Sequence, residues 1–172
     1  KEIFKYTKTD QAQILVMPYK GQQIRMIVVL PRKKNTLKEI EQNLEEILNT
    51  GLARLREQEI SVYMPRFEMT SEFSLGKTLA SLGMRKALSP SADFSRMTAR
   101  KDLFVSEVAH KAFVAVDEEG TEAAAATGVE MALTAAPTQP ITFKADHPFA
   151  FAITDTKSNN ILFLGRLTSP GN

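Results

Sequence analysis

A stretch of about twenty residues between two strand candidates constrains this chain more than any other feature. It runs from Glu118 to Pro140, and it lacks the large apolar side chains found on either side of it. An irregular connection of that length is uncommon in a compact domain unless the connection itself is functional. This segment is therefore the first candidate for a functional element.

The segment has the alternation of a half-buried strand. Every second residue from 121 to 133 is small or apolar, and both glutamates in that range fall in the interleaved set. A period of two is typical of a strand with one buried face. Two other interpretations stay open, because the alanines at 123–126 favour a helix and a plain loop also fits. Gly128 and the β-branched Thr127 and Val129 count against a long helix.

The rest of the chain predicts an α+β fold with mainly antiparallel strands and a few short helices. A short helix is expected over Leu75–Leu82 and a loop over Ser89–Lys101, and at Pro65 the chain bends or passes between sheets. Strands are predicted at Gln13–Tyr19, Ile24–Leu30, Ile60–Met64, Arg66–Met69, Val105–Val116, Phe149–Thr154 and Ile161–Leu167, the last two as a hairpin.

A helix is also predicted after Pro31. Thr36 followed by Glu39 fits a capping box, and leucine and isoleucine then recur at helical spacing. Two versions stay open: one helix that ends at Gly51, or a break near Asn43 followed by a second helix that runs through Gly51 to about Arg56.

Composition excludes several classes of protein. The formal net charge is +2, from 22 basic and 20 acidic residues, which gives no electrostatic case for nucleic acid or an anionic membrane as partner. No apolar run approaches the ~20 residues that span a bilayer. The chain has no cysteine, and its two histidines are His110 and His147. Since no nucleophile elbow, phosphate-binding loop or zinc pattern is present, we expect neither an enzyme nor a metal or cofactor.

The residues around the long segment carry a family resemblance. Residues 118–127, Glu-Glu-Gly-Thr-Glu-Ala-Ala-Ala-Ala-Thr, resemble the reactive-loop hinge of an inhibitory serpin. Val108–Phe113 before them resembles the fifth strand of that family's sheet A. Phe143–Phe149 and Ile161–Arg166 after them are similar to further signatures, and upstream Pro18–Gly21 also fits. The resemblance covers nearly the whole chain.

The resemblance implies that the sequence is incomplete. A serpin is about twice as long, so residues 1–172 resemble the C-terminal part of a single serpin domain, with the reactive loop at about 118–140. The first residue is Lys1 rather than Met, which also suggests a chain entered partway. The N-terminal half of the same serpin is therefore an expected partner.

The resemblance also implies a function. Serpins typically act as suicide substrates of serine proteases: the loop is cleaved, an acyl-enzyme forms, and the loop inserts into sheet A. A non-inhibitory serpin with a binding or chaperone-like role is the alternative. Small inward-facing hinge residues favour inhibition. Only the resemblance bears on the compartment, and it favours an extracellular or secreted protein.

The family's hinge-to-cleavage spacing implies a reactive bond between Thr134 and Ala135. A small residue at this position points to an elastase-like protease or another protease with a small specificity pocket. The bonds after Met131 and Leu133 are secondary candidates. The hinge residues implied by the resemblance are Glu118, Gly120, Thr121, Glu122, Ala123, Ala124, Ala125, Ala126 and Thr127.

Two further residues match the region where the family's sheet A opens. His110 corresponds to a histidine whose hydroxyl partners would lie in the N-terminal half, although a buried structural histidine is an equal alternative. Arg66 would pair with Glu118, or both would be solvated charges worth under ~1 kcal/mol. His147, which precedes Pro148, is expected to be structural.

Overall fold

The computed structural model describes residues 2–117 and 141–170. Within these residues the chain forms two compact units. The first unit contains 2–67, 116–117 and 141–170, and the second contains 68–115. In chain order the elements are β1 (Glu2–Lys8), β2 (Ala12–Pro18), β3 (Ile24–Pro31), α1 (Leu37–Gln42), α2 (Leu44–Ala53), β4 (Arg56–Tyr63), β5 (Phe67–Ser74), α3 (Gly76–Ser81), α4 (Ser95–Thr98), β6 (Ala109–Val116), β7 (Ile141–Lys144), β8 (Phe149–Asp155) and β9 (Ile161–Leu167).

The first unit is built on a sheet of seven strands in the order β7-β4-β1-β2-β3-β8-β9. Its strand pairs are antiparallel except for β4 and β7, which run parallel. The register aligns Leu15 with Val28, Val28 with Phe151, and Phe151 with Gly165. Apolar side chains of three central strands therefore share one face.

Helices α1 and α2 cover the opposite face of the same sheet. Their leucines and isoleucines recur at helical spacing, so one stripe of each helix meets the alternate residues of β2 and β3. Burial of these side chains drives the association. The buried cluster consists of Ala12, Ile14, Val16, Ile27, Val29, Leu37, Ile40, Ile47 and Ala150, with Leu44, Leu48, Leu52 and Leu55 packed against it.

The structure decides between the two versions of the helical segment. The chain breaks at Asn43, which has a ψ of 20°, and α2 runs through Gly51, as the second version predicts. The end predicted near Arg56 is wrong, because α2 ends at Ala53 and Arg56 is the first residue of β4. The capping box is not formed: Thr36 precedes α1, but its Oγ1 donates to the carbonyl oxygen of Lys33 at 2.9 Å instead of accepting a helical N–H.

Aromatic side chains pack on the face away from the helices. The ring of Phe67 lies 6.2 Å from that of Phe149 and 5.6 Å from that of Phe151, measured between ring centroids. Strand β4 ends at Tyr63 and β5 begins at Phe67, so the chain passes from the seven-stranded sheet to the two-stranded sheet across Pro65. The predicted passage between sheets at this proline is confirmed.

The second unit contains α3, α4 and most of a two-stranded sheet of β5 and β6. Strand β6 begins at Ala109 and not at Val105 as predicted. The reason is that the N–H of Val105 donates to the carbonyl oxygen of Ala87 at 2.9 Å, which holds it in the preceding loop. The predicted loop at 89–101 contains the short helix α4, at whose start the N–H of Ser95 donates to Oδ1 of Asp93 at 3.1 Å.

Candidate functional site

The residues predicted to form the hinge and the reactive bond lie outside the described residues. They are Glu118, the hinge residues 120–127, and Thr134 with Ala135. The structure describes the strands that flank them, β6 before and β7 after, together with Arg66 and His110. The candidate site is defined here by these flanks.

Strand β7 fixes the chain directly after the segment. It pairs in parallel with β4, with Ile141 opposite Ile60. Phe143 in its centre is fully buried, at 0% exposure. The N–H of Ala145, just beyond the strand, donates to the carbonyl oxygen of Tyr63 at 2.9 Å. The segment therefore ends on a firmly packed strand.

His147 ties the turn after β7 to the end of β3. Its Nδ1 lies 2.9 Å from Oδ1 of Asp146, and its Nε2 lies 2.7 Å from the carbonyl oxygen of Pro31. The hydrogen bond with His147, followed by that with Lys144, lowers the pKa of the Asp146 carboxyl. These contacts support the structural role predicted for His147. No local sequence pattern predicts its contact with Pro31, which lies 116 residues away.

A cavity of about 240 Å³ adjoins the last residues before the segment. Val116 and Asp117 form one part of its wall, and Ile60 of β4 forms another. Ile60 is also opposite Ile141, so the last two described residues before the segment and the first one after it all lie near Ile60. The cavity is lined by Glu2, Phe4, Met17, Ile60, Val62, Met64, Pro65, Arg66, Val116 and Asp117.

Arg66 lies in this cavity wall beside the start of the segment. It shares the cavity with Asp117, the residue that directly precedes Glu118. This placement agrees with an Arg66–Glu118 pair, but Glu118 is outside the described residues, so the pairing stays a prediction.

Strand β6 leads into the segment and carries His110. In the described part of the chain, β6 is hydrogen-bonded to β5 alone, so its other edge has no strand partner there. Its apolar side chains are incompletely covered, and Phe113 is 59% exposed. His110 is also exposed. The structure therefore does not show His110 as a buried residue, and it places His110 and Arg66 in different units.

The described residues contain neither a metal-binding cluster nor a membrane-spanning helix. Across 2–117 and 141–170, no three acidic or histidine side chains group together as a metal site. No helix in these ranges has the length and apolar character needed to cross a membrane.

Comparison with protein families gives one match over almost the whole chain. A family model described as "Serpin (serine protease inhibitor)" matches residues 1–170. Among curated proteins, "Serpin B4" of Homo sapiens is 43% identical over 163 residues, which cover 93% of this chain and 42% of that protein. The "Leukocyte elastase inhibitor" of Bos taurus is 43% identical over 182 residues, covering 97% of this chain and 46% of that protein.

Comparison with solved structures agrees in fold. The crystal structure of uncleaved ovalbumin matches with a TM-score of 0.81 and 28% identity, covering 98% of this chain and 43% of that chain. The chain thus spans less than half the length of the relatives it matches.

Proposed function

Because this chain belongs to the serpin family of serine protease inhibitors, we propose that it carries the reactive loop with which the whole protein traps a serine protease. In this proposal residues 118–140 are the loop, and the chain is the C-terminal part of one serpin domain. The supporting observation is that the strand before the loop and the strand after it differ in their pairing. Strand β6 before the loop has an edge without a described partner, whereas β7 after it is paired with β4.

The first step of the proposed mechanism is an ordinary proteolytic attack. The catalytic serine of the protease attacks the carbonyl carbon of Thr134, and the peptide bond to Ala135 breaks. The amine of Ala135 leaves with a proton, and Thr134 remains bound to the serine as an ester. Residues up to Thr134 then stay connected to β6, while those from Ala135 onward stay connected to β7.

The second step is insertion of the freed strand beside β6. Extended residues 121–134 would span about 46 Å at ~3.3 Å per residue, so the bound protease would be carried far from its first position. New backbone hydrogen bonds would favour this movement, along the edge of β6 that has no partner among the described strands.

The sequence of the loop suits insertion. Thr121, Ala123 and Ala125 are small at the inward-facing positions, so the hinge enters the sheet without burying a charge. Val129, Met131 and Leu133 follow in the same alternation. Their burial would contribute roughly 1.5–3 kcal/mol each. A bulky or charged residue at an inward hinge position would oppose the step.

The preferred target of this proposal is an elastase-like serine protease. Thr134 is small enough for a shallow specificity pocket. Relatives from Bos taurus and Sus scrofa that are each 43% identical to this chain bear the name leukocyte elastase inhibitor.

The test is to mix the intact protein with pancreatic elastase and to examine the products on a denaturing gel and by mass spectrometry. We expect a boiling-resistant band at the summed mass of the two proteins less that of the C-terminal peptide, and release of that peptide, which begins at Ala135. Elastase whose serine has been blocked beforehand is the control and should give no such band. Cleavage after Thr134 with full recovery of protease activity would contradict inhibition and would favour the non-inhibitory alternative.

A further inference from the structure

A cationic cleft in the first unit takes no part in the loop mechanism. It lies at the end of helix α2 and has a volume of about 510 Å³. Three basic side chains and two leucines form most of its wall, with one carboxylate among them. The lining residues are Lys5, Arg25, Leu52, Leu55, Arg56 and Glu57.

Strand register explains how two of these cations meet. Lys5 of β1 is opposite Val16 of β2, and Arg25 of β3 is two residues from Ile27. Because side chains alternate along a strand, Lys5 and Arg25 lie on the same face as Val16 and Ile27. That face is the one covered by α1 and α2.

The end of α2 completes the cleft. Leu52 is the last leucine of the helix, and Leu55 follows it. Both are packed against the buried cluster on this face of the sheet and are half-buried. Arg56, at the start of β4, donates from Nη1 to the carbonyl oxygen of Leu55 at 3.0 Å. Cations therefore surround the point where the helix stops covering the sheet.

Arg25 is fixed in place by neutral groups. Its Nε donates to Oγ1 of Thr154 at 3.1 Å, and its Nη2 donates to Oδ1 of Asn159 at 2.8 Å. The side chain is half-buried, yet neither acceptor carries a charge. The nearby Asp155 is committed to its own turn, where Oδ1 accepts from the N–H and the hydroxyl of Ser158. Among the described residues, Arg25 thus has an oriented side chain and no acidic partner.

The remaining charges do not neutralise the cleft. Lys5 is opposite Glu57 in the β1–β4 register, but among the described residues these two side chains form no ion pair. Glu57 is also the single acid in a wall that holds three cations. A partly desolvated guanidinium with a positive excess around it favours an anion with several acceptor oxygens.

We propose that this cleft binds a sulfate or phosphate monoester. The anionic group would lie among Lys5, Arg25 and Arg56, and the organic part would contact Leu52 and Leu55. The guanidinium nitrogens provide donors in a fixed fork that suits such oxyanions. The leucines favour an ester over a free inorganic ion. This inference does not depend on protease inhibition.

Isothermal titration of the intact protein tests the proposal. The probes are p-nitrophenyl sulfate, p-nitrophenyl phosphate, inorganic sulfate and inorganic phosphate, all at one ionic strength set with chloride. We expect saturable binding of at least one ester, tighter than that of its inorganic ion. Arg25→Gln and Lys5→Gln should each raise Kd by about tenfold, since each removes a charge-assisted contact.

Lys8→Gln is the matched control, because Lys8 is an exposed cation on the same strand as Lys5 but is outside the cleft wall. It should leave Kd unchanged within about twofold. Lys5→Gln keeps the test valid if Arg25→Gln fails to fold, since Lys5 is exposed. Absence of saturable binding would overturn the proposal. An equal rise in Kd for Lys5→Gln and Lys8→Gln would overturn it as well. Equal Kd values for an ester and its inorganic ion would contradict the proposed contact of the organic group with the leucines.

Discussion

Gly165 of β9 lies directly opposite Phe151 of β8, and its missing side chain leaves room for the phenyl ring. A β-carbon at position 165 would come 2.6 Å from Cζ of Phe151. The ring is 1% exposed, and its centroid lies 5.6 Å from that of Phe67. It therefore cannot yield without disturbing the aromatic side of the core.

Gly165→Ala is expected to lower the free energy of unfolding by about 1–3 kcal/mol, because the added methyl group overpacks a closed space. Urea unfolding of the intact protein measures this as a lower midpoint at an unchanged slope. Gly76→Ala is the control, since a β-carbon there meets nothing within 4 Å. Equal stability of the two variants would show that the ring moves freely.

His147→Ala is expected to cost about 1–3 kcal/mol, because the carbonyl of Pro31 and the carboxyl of Asp146 would lose their shared partner. His147→Gln retains a donor and should cost less. Urea unfolding of both variants gives the comparison. If glutamine destabilised the protein as much as alanine, ring packing rather than hydrogen bonding would explain the role of His147.

Asp155 should make the free energy of unfolding depend on pH in the acidic range. Hydrogen bonds from the backbone and hydroxyl of Ser158, and from the backbone of Lys157, lower the pKa of its carboxyl. Its contribution is therefore present above the unfolded value of about 3.9 and is lost as pH falls through the lower folded value. The stability difference between the protein and Asp155→Asn, followed by thermal unfolding, should be constant above about pH 5 and shrink below pH 4. Asp10→Asn is the control, and an equal pH dependence in both variants would contradict this origin.

The proposed insertion predicts opposite behaviour of two neighbouring hinge residues. Ala125 is at an inward position of the alternation and Ala126 at an outward one. Ala125→Arg should reduce the yield of boiling-resistant complex about tenfold, because a buried unpaired charge blocks insertion. Ala126→Arg should change it by less than about twofold, since its charge stays solvated. Gel densitometry measures the yield. A larger loss for Ala126→Arg than for Ala125→Arg would mean that the inward positions are the even-numbered residues and not the odd-numbered ones.

Local patterns predicted the elements whose signals are local. The hairpins β2–β3 and β8–β9 follow from β-branched runs joined by polar turns. The parallel pairing of β4 with β7 joins residues about 80 apart, and no local pattern encodes such a contact. Helix α4 was missed because four residues are too few to show a helical period.

The same distinction holds for sites. The hinge is a contiguous motif, so the sequence was enough to suggest it. The cationic cleft assembles Lys5, Arg25 and Arg56 from three strands, and its position depends on where α2 ends. A sequence pattern reveals a basic cluster only where the residues are adjacent in the chain, as Arg32, Lys33 and Lys34 are. A cluster whose residues come from separate strands can be predicted only when the register of those strands is known.

The pairing of β3 with β8 has a consequence for synthesis on the ribosome. Strand β3 ends at Pro31 and is almost entirely buried, yet its partner begins at Phe149. At ~5–20 residues per second, a nascent chain waits about 6–24 s before that partner is made. Through this interval the hydrogen-bonding edge of β3 is open and its valines and leucine are incompletely enclosed. A chaperone that shields a nascent strand would act at this stage.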